Sequence, residues 1–272
     1  MKNALIAGLP ISTATEAEVL EAMAREISEK SAGHIVSITN TETLYHGLHN
    51  PVIERHIRTA DFSLCDGVGV VVAGWAWGHS VKRVTGPHLQ LAASHYGQAR
   101  KWRHFFYGGK DGVAEQMAER LTARYPELIV CGTYSPPFKA LSPEEDQAIV
   151  DCINATQPDI VWVGLGLPKQ ETWIQEHLGR VNATWMIGVG AAFDYHAGTV
   201  PWAPPFFQAV GLEWAFRLAR EPRLRGRRYG RSLIFVVRAG LEGLLKLRFL
   251  RPAFAAATHP SRPGRSAATS SG

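Results

Sequence analysis

Cysteine is scarce in this 272-residue chain. The three present, Cys65, Cys131 and Cys152, are odd in number, widely spaced and form no Cys-x-x-Cys pair. That pattern argues against a disulfide framework or a zinc knuckle and suits a reducing cytosol. Long apolar runs are also missing. No stretch of about 18 uncharged apolar residues occurs, so no bilayer-spanning segment is expected. The opening "MKNALIAGLPIST" is apolar only from Ala4 to Leu9; Pro10 and the polar residues behind it favour a first strand over a signal peptide. Absent too are His-Glu-x-x-His, a suitably flanked Asp-x-Asp, and the phosphate loop Gly-x-x-x-x-Gly-Lys-Ser/Thr. His46 and His49 share a helical spacing but have no nearby carboxylate. Chemistry without a metal ion or a cofactor is the expectation.

What is present begins with apolar content of 46%, enough for one sizeable core or two lobes sharing a sheet. The net charge of +5 conceals an asymmetry. Residues 211–251 carry 11 Arg and Lys against 3 acids, so a mildly acidic body bears a strongly basic C-terminal segment. Such a segment calls for an anionic partner: lipid head groups, nucleic acid or a substrate phosphate.

Hydrophobic periodicity alternates between short strands and helices. "TATEAEVLEAMAREISEK" puts Ala17, Leu20, Met23, Ala24 and Ile27 on one helical face, with Thr13 and Glu16 as a candidate capping box. "HIVSITN" is a buried strand ending at Asn40, and "TETLYHGL" is the helix behind it. "FSLCDGVGVVVAGWAWG" places Asp66 between a short strand and a strand-like apolar run. The second half repeats the plan: strands in "HFFYGG", "LIVCGTY", "DIVWVGLG" and "TWMIGVG", and helices in "GVAEQMAERLTARYP", "SPEEDQAIVDCINATQ" and "QETWIQEHL". Ser142 followed by Pro143 opens the second of these helices. The pattern predicts a Rossmann-like, three-layer α/β fold with a mainly parallel sheet. The expected organisation is an α/β domain over residues 1–210, a basic amphipathic helical appendage over 211–251, and a disordered tail over 252–272.

Ligands of such sheets sit beyond the carboxyl ends of the strands. Asn40, Asp66, Gly108–Gly109, Gly164–Gln170 and Gly188–Asp194 all follow predicted strands and should gather along one edge. "YGGKDG" and "GLGLPKQE" are glycine turns into helices, where backbone can approach a phosphate. "KRVTGPHL" sets Lys82 and Arg83 before a Gly-Pro turn. In the basic segment, Arg231, Arg238, Glu242 and Lys246 form a narrow stripe with apolar residues around the rest of the helix. That is the pattern of a helix lying in a membrane interface, its basic residues toward head groups.

Taken in succession, "CDGVGVV", "RVTGPHL", "FFYGGKDGVAE", "YPELIVCGTYSPPF", "PDIVWVGLGLPKQE", "GVGAAFDYHAGTVPWAP" and "GLEWAFRLAREPRLRGRRY" resemble the WecG/TagA/CpsF glycosyltransferases over residues 3–230. The resemblance implies transfer of a hexose or N-acetylhexosamine, N-acetylmannosamine-type favoured, from a UDP-sugar donor to a polyprenyl-diphosphate-linked saccharide acceptor. It implies work in cell-surface polysaccharide synthesis, peripherally on the inner, cytoplasmic face of the cytoplasmic membrane. It further implies that Asp66 is the catalytic base. Asn40, Arg83, Gln170 and Arg217 match the family's site residues, and Arg223, Arg227 and Arg228 match a phosphate-binding appendage. Thr39, Gly109 and Asp194 complete the candidate substrate-binding set. Two positions depart from the family pattern. Ile38 stands where threonine is usual, with Ser37 and Thr39 beside it, and His88 replaces an acid, which would alter sugar preference if that position contacts a sugar.

The chemistry agrees. An attacking sugar hydroxyl sheds its proton to a carboxylate, and arginines neutralise the departing nucleotide in place of a metal. Two rivals remain. A nucleotide-dependent oxidoreductase would need a glycine fingerprint that "LIAGLPIST" lacks. A nucleic-acid-binding protein would not need arginines interleaved with leucine and phenylalanine, so no nucleic-acid partner is expected. Oligomeric state stays open, a homo-oligomer included.

Overall fold

The computed structural model describes residues 2–245, apart from the side chains of Leu224, Arg225, Arg227 and Arg228. The tail over 252–272, Lys246, and the side chains of Arg227 and Arg228 therefore lie outside the described residues. Where the sequence predicts one first strand, β1 (Asn3–Ile6) and β2 (Leu9–Ser12) form an antiparallel hairpin separate from the main sheet. Ala7 and Gly8 between them both take positive φ, 50° and 79°, the geometry a two-residue hairpin turn requires. Helix α1 (Glu16–Ser28) is capped by Thr15 and Glu18, two residues later than the sequence suggests. Thr13 instead bonds the Lys2 carbonyl through both its amide and its hydroxyl.

Then follow β3 (His34–Thr39), α2 (Thr41–Gly47), α3 (Pro51–Thr59), β4 (Phe62–Cys65) and α4 (Val68–Ala76). The valine-rich run behind Asp66 is thus a helix, not a strand. Helix α4 is apolar nearly all round because it is held between the hairpin and a C-terminal helix. Its Gly69 admits Thr41 and Val236, which a Cβ there would meet at 2.6 and 3.0 Å. Gly86 and Pro87, read as a turn, open α5 (Gly86–Gly97) under a Thr85 cap. The rest of the alternation is as expected: β5 (Arg103–Gly108), α6 (Val113–Arg124), β6 (Ile129–Tyr134), α7 (Pro143–Ala155), β7 (Ile160–Gly164), α8 (Lys169–His177) and β8 (Trp185–Gly188). Helices α9 (Ala192–Ala197), α10 (Pro205–Ala209), α11 (Glu213–Arg220) and α12 (Pro222–Leu245) close the described chain.

Six parallel strands lie in the order β4-β3-β8-β7-β5-β6. Side chains alternate between its faces. Val36, Phe106, Trp162 and Ile187 pack under one helical layer, and Ile35, Phe105, Val161, Val163 and Met186 under the other. This is the three-layer α/β fold. No helix among the described residues is long and apolar enough to cross a membrane.

Helix α12 corrects the reading of its basic stripe. It packs on α4 and α2, and of the charged stripe Glu242 lies on the docked side and Arg231 at its edge, while Arg238 stays exposed. Phe235 and Ala239 are buried there, Glu242 is 1% exposed, and Arg231 reaches Glu42 at 3.3 Å. The Trp77 indole donates to the Ala239 carbonyl at 2.8 Å. Gly243 is where the two helices touch, since a Cβ there would strike Trp77 at 2.6 Å. Leu233, Ile234, Val237, Leu241 and Leu244 face outward instead. Phe235→Ala should therefore lower stability by about 3–5 kcal/mol in urea denaturation, whereas Leu233→Ala should change it by less than about 0.5 kcal/mol.

Candidate active site

The carboxyl ends of the strands open into one groove of about 920 Å³. Its lining draws Asn40 from the end of β3, Asp66 from β4, Gly109 from β5, Gly164–Gln170 from β7, and Gly188–Ala192 with Asp194 from β8. The gathering expected from the strand-end rule is what the fold produces. Arg217 of α11 reaches the same lining.

Asp66 is half-buried in the turn between β4 and α4, its backbone amide held by the Thr39 carbonyl at 2.9 Å. Its neighbour Cys65 is fully buried, and burial, with the Asp66 charge adding to it and Arg83 opposing, pushes the thiol up to about 12. At neutral pH that thiol is no nucleophile. Asn40 caps α2: its Oδ1 accepts from the amides of Glu42 and Thr43 at 2.9 and 3.0 Å. The cap fixes the side chain and leaves the Nδ2 hydrogens for a ligand.

Several expected contacts turn out differently. Thr39 is fully buried, its hydroxyl engaged with Ser63 at 2.8 Å and Ser37 at 3.0 Å, so it faces away from the groove. Ile38 takes the lining position. Gly109 lines the groove, but its amide donates to the Gly164 carbonyl at 3.0 Å and is not offered to a phosphate. Gly108 and Gly164 serve packing: a Cβ at Gly108 would meet Gly164 backbone at 2.6 Å, and one at Gly164 would strike the Phe193 ring at 2.6 Å. Gln170 is buried, accepting from the Gly166 amide at 3.2 Å and donating to Glu171 at 2.9 Å, so it shapes its loop from beneath. Asp194 lines the groove with one carboxylate oxygen accepting from Thr199 at 3.1 Å.

Arg83 stands outside the lining. Its guanidinium donates to the Gln208 carbonyl and approaches Glu213 at 3.9 Å. Glu213 also lies 3.9 Å from Arg217. Arg83 thus ties the edge of β4 to α10 and α11 and shares Glu213 with Arg217. Arg217 is further steadied by the Tyr195 ring, 4.7 Å from its guanidinium carbon. Arg223 is exposed in the first turn of α12 and is not part of the groove wall. His88, the departure from the family pattern, is not on the wall either. It bonds the Thr85 hydroxyl at 2.6 Å and packs on Trp202 at 4.9 Å. His196, beside it, is held neutral: burial pushes it down to about 4, against the Pro87 carbonyl to which Nε2 donates. Neither imidazole is on the groove wall.

Other lining residues carry no role of their own in the sequence reading: Lys110, Pro136–Phe138, Lys169, Glu171 and Tyr195 lie within its motifs, and Lys139–Leu141 lie outside them. "SPPFKAL" directly follows the strand "LIVCGTY", so the strand-end rule applied to β6 would have found that loop. Among the described residues no three His, Cys, Asp or Glu side chains are grouped to hold a metal ion.

The model of the family described as "Glycosyl transferase WecG/TagA/CpsF family" matches residues 4–248. A Bacillus spizizenii protein named N-acetylglucosaminyldiphosphoundecaprenol N-acetyl-beta-D-mannosaminyltransferase is 31% identical over 195 residues, 71% of this chain and 74% of its own. A Staphylococcus aureus protein of the same name is 27% identical over 228 residues, 82% of this chain and 86% of its own.

Proposed function

Because the chain belongs to the WecG/TagA/CpsF family of glycosyltransferases, we propose that its groove transfers N-acetylmannosamine from a UDP-sugar to a polyprenyl-diphosphate-linked acceptor ending in N-acetylglucosamine. The observation that carries this reading is that Asp66 and Asn40 at the strand ends and Arg217 of α11 line one groove. The acceptor hydroxyl attacks the anomeric carbon and gives its proton to the Asp66 carboxylate. The bond from that carbon to the diphosphate oxygen breaks, and UDP leaves with the electron pair. One displacement assisted by one base inverts the anomeric centre. Negative charge building on the diphosphate is met by Arg217 and by arginines of the basic segment, with guanidinium pairing to phosphate oxygens. No metal ion is required in this scheme. The test is UDP release across several UDP-sugars, with a short-chain prenyl-diphosphate N-acetylglucosamine acceptor and EDTA present. Turnover is expected with the N-acetylmannosamine donor, and dependence on added divalent ion would overturn the arginine-for-metal part.

A lipid-borne acceptor requires the enzyme to meet a membrane surface, and we place that contact, on the inner face of the cytoplasmic membrane, at the outward side of α12. Leu233, Ile234, Val237, Leu241 and Leu244 are exposed there in a single stripe, and Trp75 of α4 is 72% exposed. An apolar stripe on a basic helix suits the head-group boundary of an anionic bilayer. Leu233→Asp combined with Leu241→Asp should greatly reduce co-sedimentation with anionic vesicles while sparing turnover of a short, water-soluble acceptor. Point changes are the right tool, because truncating the segment would uncover the core around Phe235.

A further inference from the structure

The groove has a second end that this chemistry leaves without a role. In the strand order β4-β3-β8-β7-β5-β6, Asp66 follows β4 and the Pro136–Leu141 loop follows β6. The two stand at opposite ends of a row of strand termini spaced about 4.8 Å apart. Phe138 lines the groove from that loop, yet its ring is 97% exposed. It is exposed on a braced segment. Pro136 and Pro137 restrict the backbone before it, and the Ser135 hydroxyl is 3.2 Å from both the Gly108 and Lys110 carbonyls, tying the loop to the exit of β5. The Lys169 ammonium lies 4.4 Å from the ring centroid. Lys169 and Lys110 both line the groove, and among the described residues neither forms an ion pair with a carboxylate.

A presented aromatic face with one cation against it and a second cation lining the same groove suits a ligand that is flat at one end and polyanionic next to it. A nucleoside diphosphate has that form: a base with a π-face, then phosphates. The direction of the donor follows from the rest of the site. Its anomeric carbon must reach Asp66 at the β4 end, so the base, at the far end of the donor, extends toward β6. The acceptor lipid has its own approach, because α12 packs on α4 and α2 beside β3 and β4.

We propose that Phe138 is the stacking platform for the donor's nucleobase, with Lys169 and Lys110 beside its diphosphate. This rests on the UDP-sugar reading above and deepens it. The experiment is calorimetric titration of free UDP, and separately of inorganic diphosphate, into the full chain and its Phe138→Ala and Phe138→Tyr variants. Phe138 is exposed, so both variants should fold. Phe138→Ala should weaken UDP binding about tenfold, the loss of one base–aromatic stack. Phe138→Tyr should recover it, and diphosphate affinity should be equal in all three. In turnover, Phe138→Ala should raise KM for the donor more than it lowers kcat and leave KM for the acceptor in place. UDP binding that ignores Phe138, or a rise confined to the acceptor's KM, as for a ring that packs on acceptor sugar or prenyl chain, would overturn the platform and leave the transferase reading standing. A wild-type protein that binds no UDP would overturn both.

Discussion

Asp66→Asn is expected to lower kcat by about 10²–10⁴, the usual worth of a positioned general base, while donor affinity stays near that of the wild type. The carboxamide keeps the size of the side chain, and the backbone hydrogen bond from residue 66 to Thr39 is untouched. What it loses is the capacity to take a proton from the acceptor. Saturating UDP-release assays read the rate, and calorimetry with the donor reads the binding. The nearby groups do not substitute. Cys65 is buried and protonated, His196 donates its Nε2 hydrogen to Pro87, and His88 lies against Trp202 off the groove wall.

The second large effect belongs to Arg217. Arg217→Ala should cost about 10²–10³ in kcat, comparable with deleting one preorganised donor to a developing anion. Arg217→Lys should recover only part of that, because an ammonium cannot pair bidentately with phosphate oxygens. The arginine's preorganisation is visible in its neighbours: the Tyr195 ring beneath it and Glu213 shared with Arg83. Arg83→Ala should therefore act through α11 and produce a smaller loss, and adding Arg217→Ala to it should give less than the product of the two effects. Initial rates of the two single variants and the double variant measure this coupling.

The alternation of elements was legible because each strand and helix carries its own period and end signals. Ser142 with Pro143, and Asn40 ahead of "TETLYHGL", mark helix starts that the fold uses as such. The strand-end rule likewise brought Asn40, Asp66, Gln170 and Asp194 together correctly, since it depends on chain direction alone. What failed depended on which side faces what. Thr39 and Ile38 are neighbours on β3, and strand alternation sends one into the sheet's interior and the other to the groove. Sequence shows that alternation but not its phase relative to a pocket. Helix α12 repeats the lesson, because its periodicity reveals a charged and an apolar side without saying which is covered. Glu42 on α2 and the bed around Phe235 decide that, and both come from distant sequence. The run after Asp66 looked like a strand because valine favours strands. Burial between two other elements overrode that preference.

The central claim, a carboxylate at the β4 end of the groove removing the acceptor's proton, is tested most directly in a single turnover. Wild type and Asp66→Asn are each loaded with UDP-N-acetylmannosamine, mixed with the prenyl-diphosphate acceptor, quenched at intervals, and analysed for product and intact donor. The account predicts rapid formation of an inverted glycoside by the wild type, and donor that stays bound and unreacted on the variant. Product appearing on Asp66→Asn at the wild-type rate would contradict it.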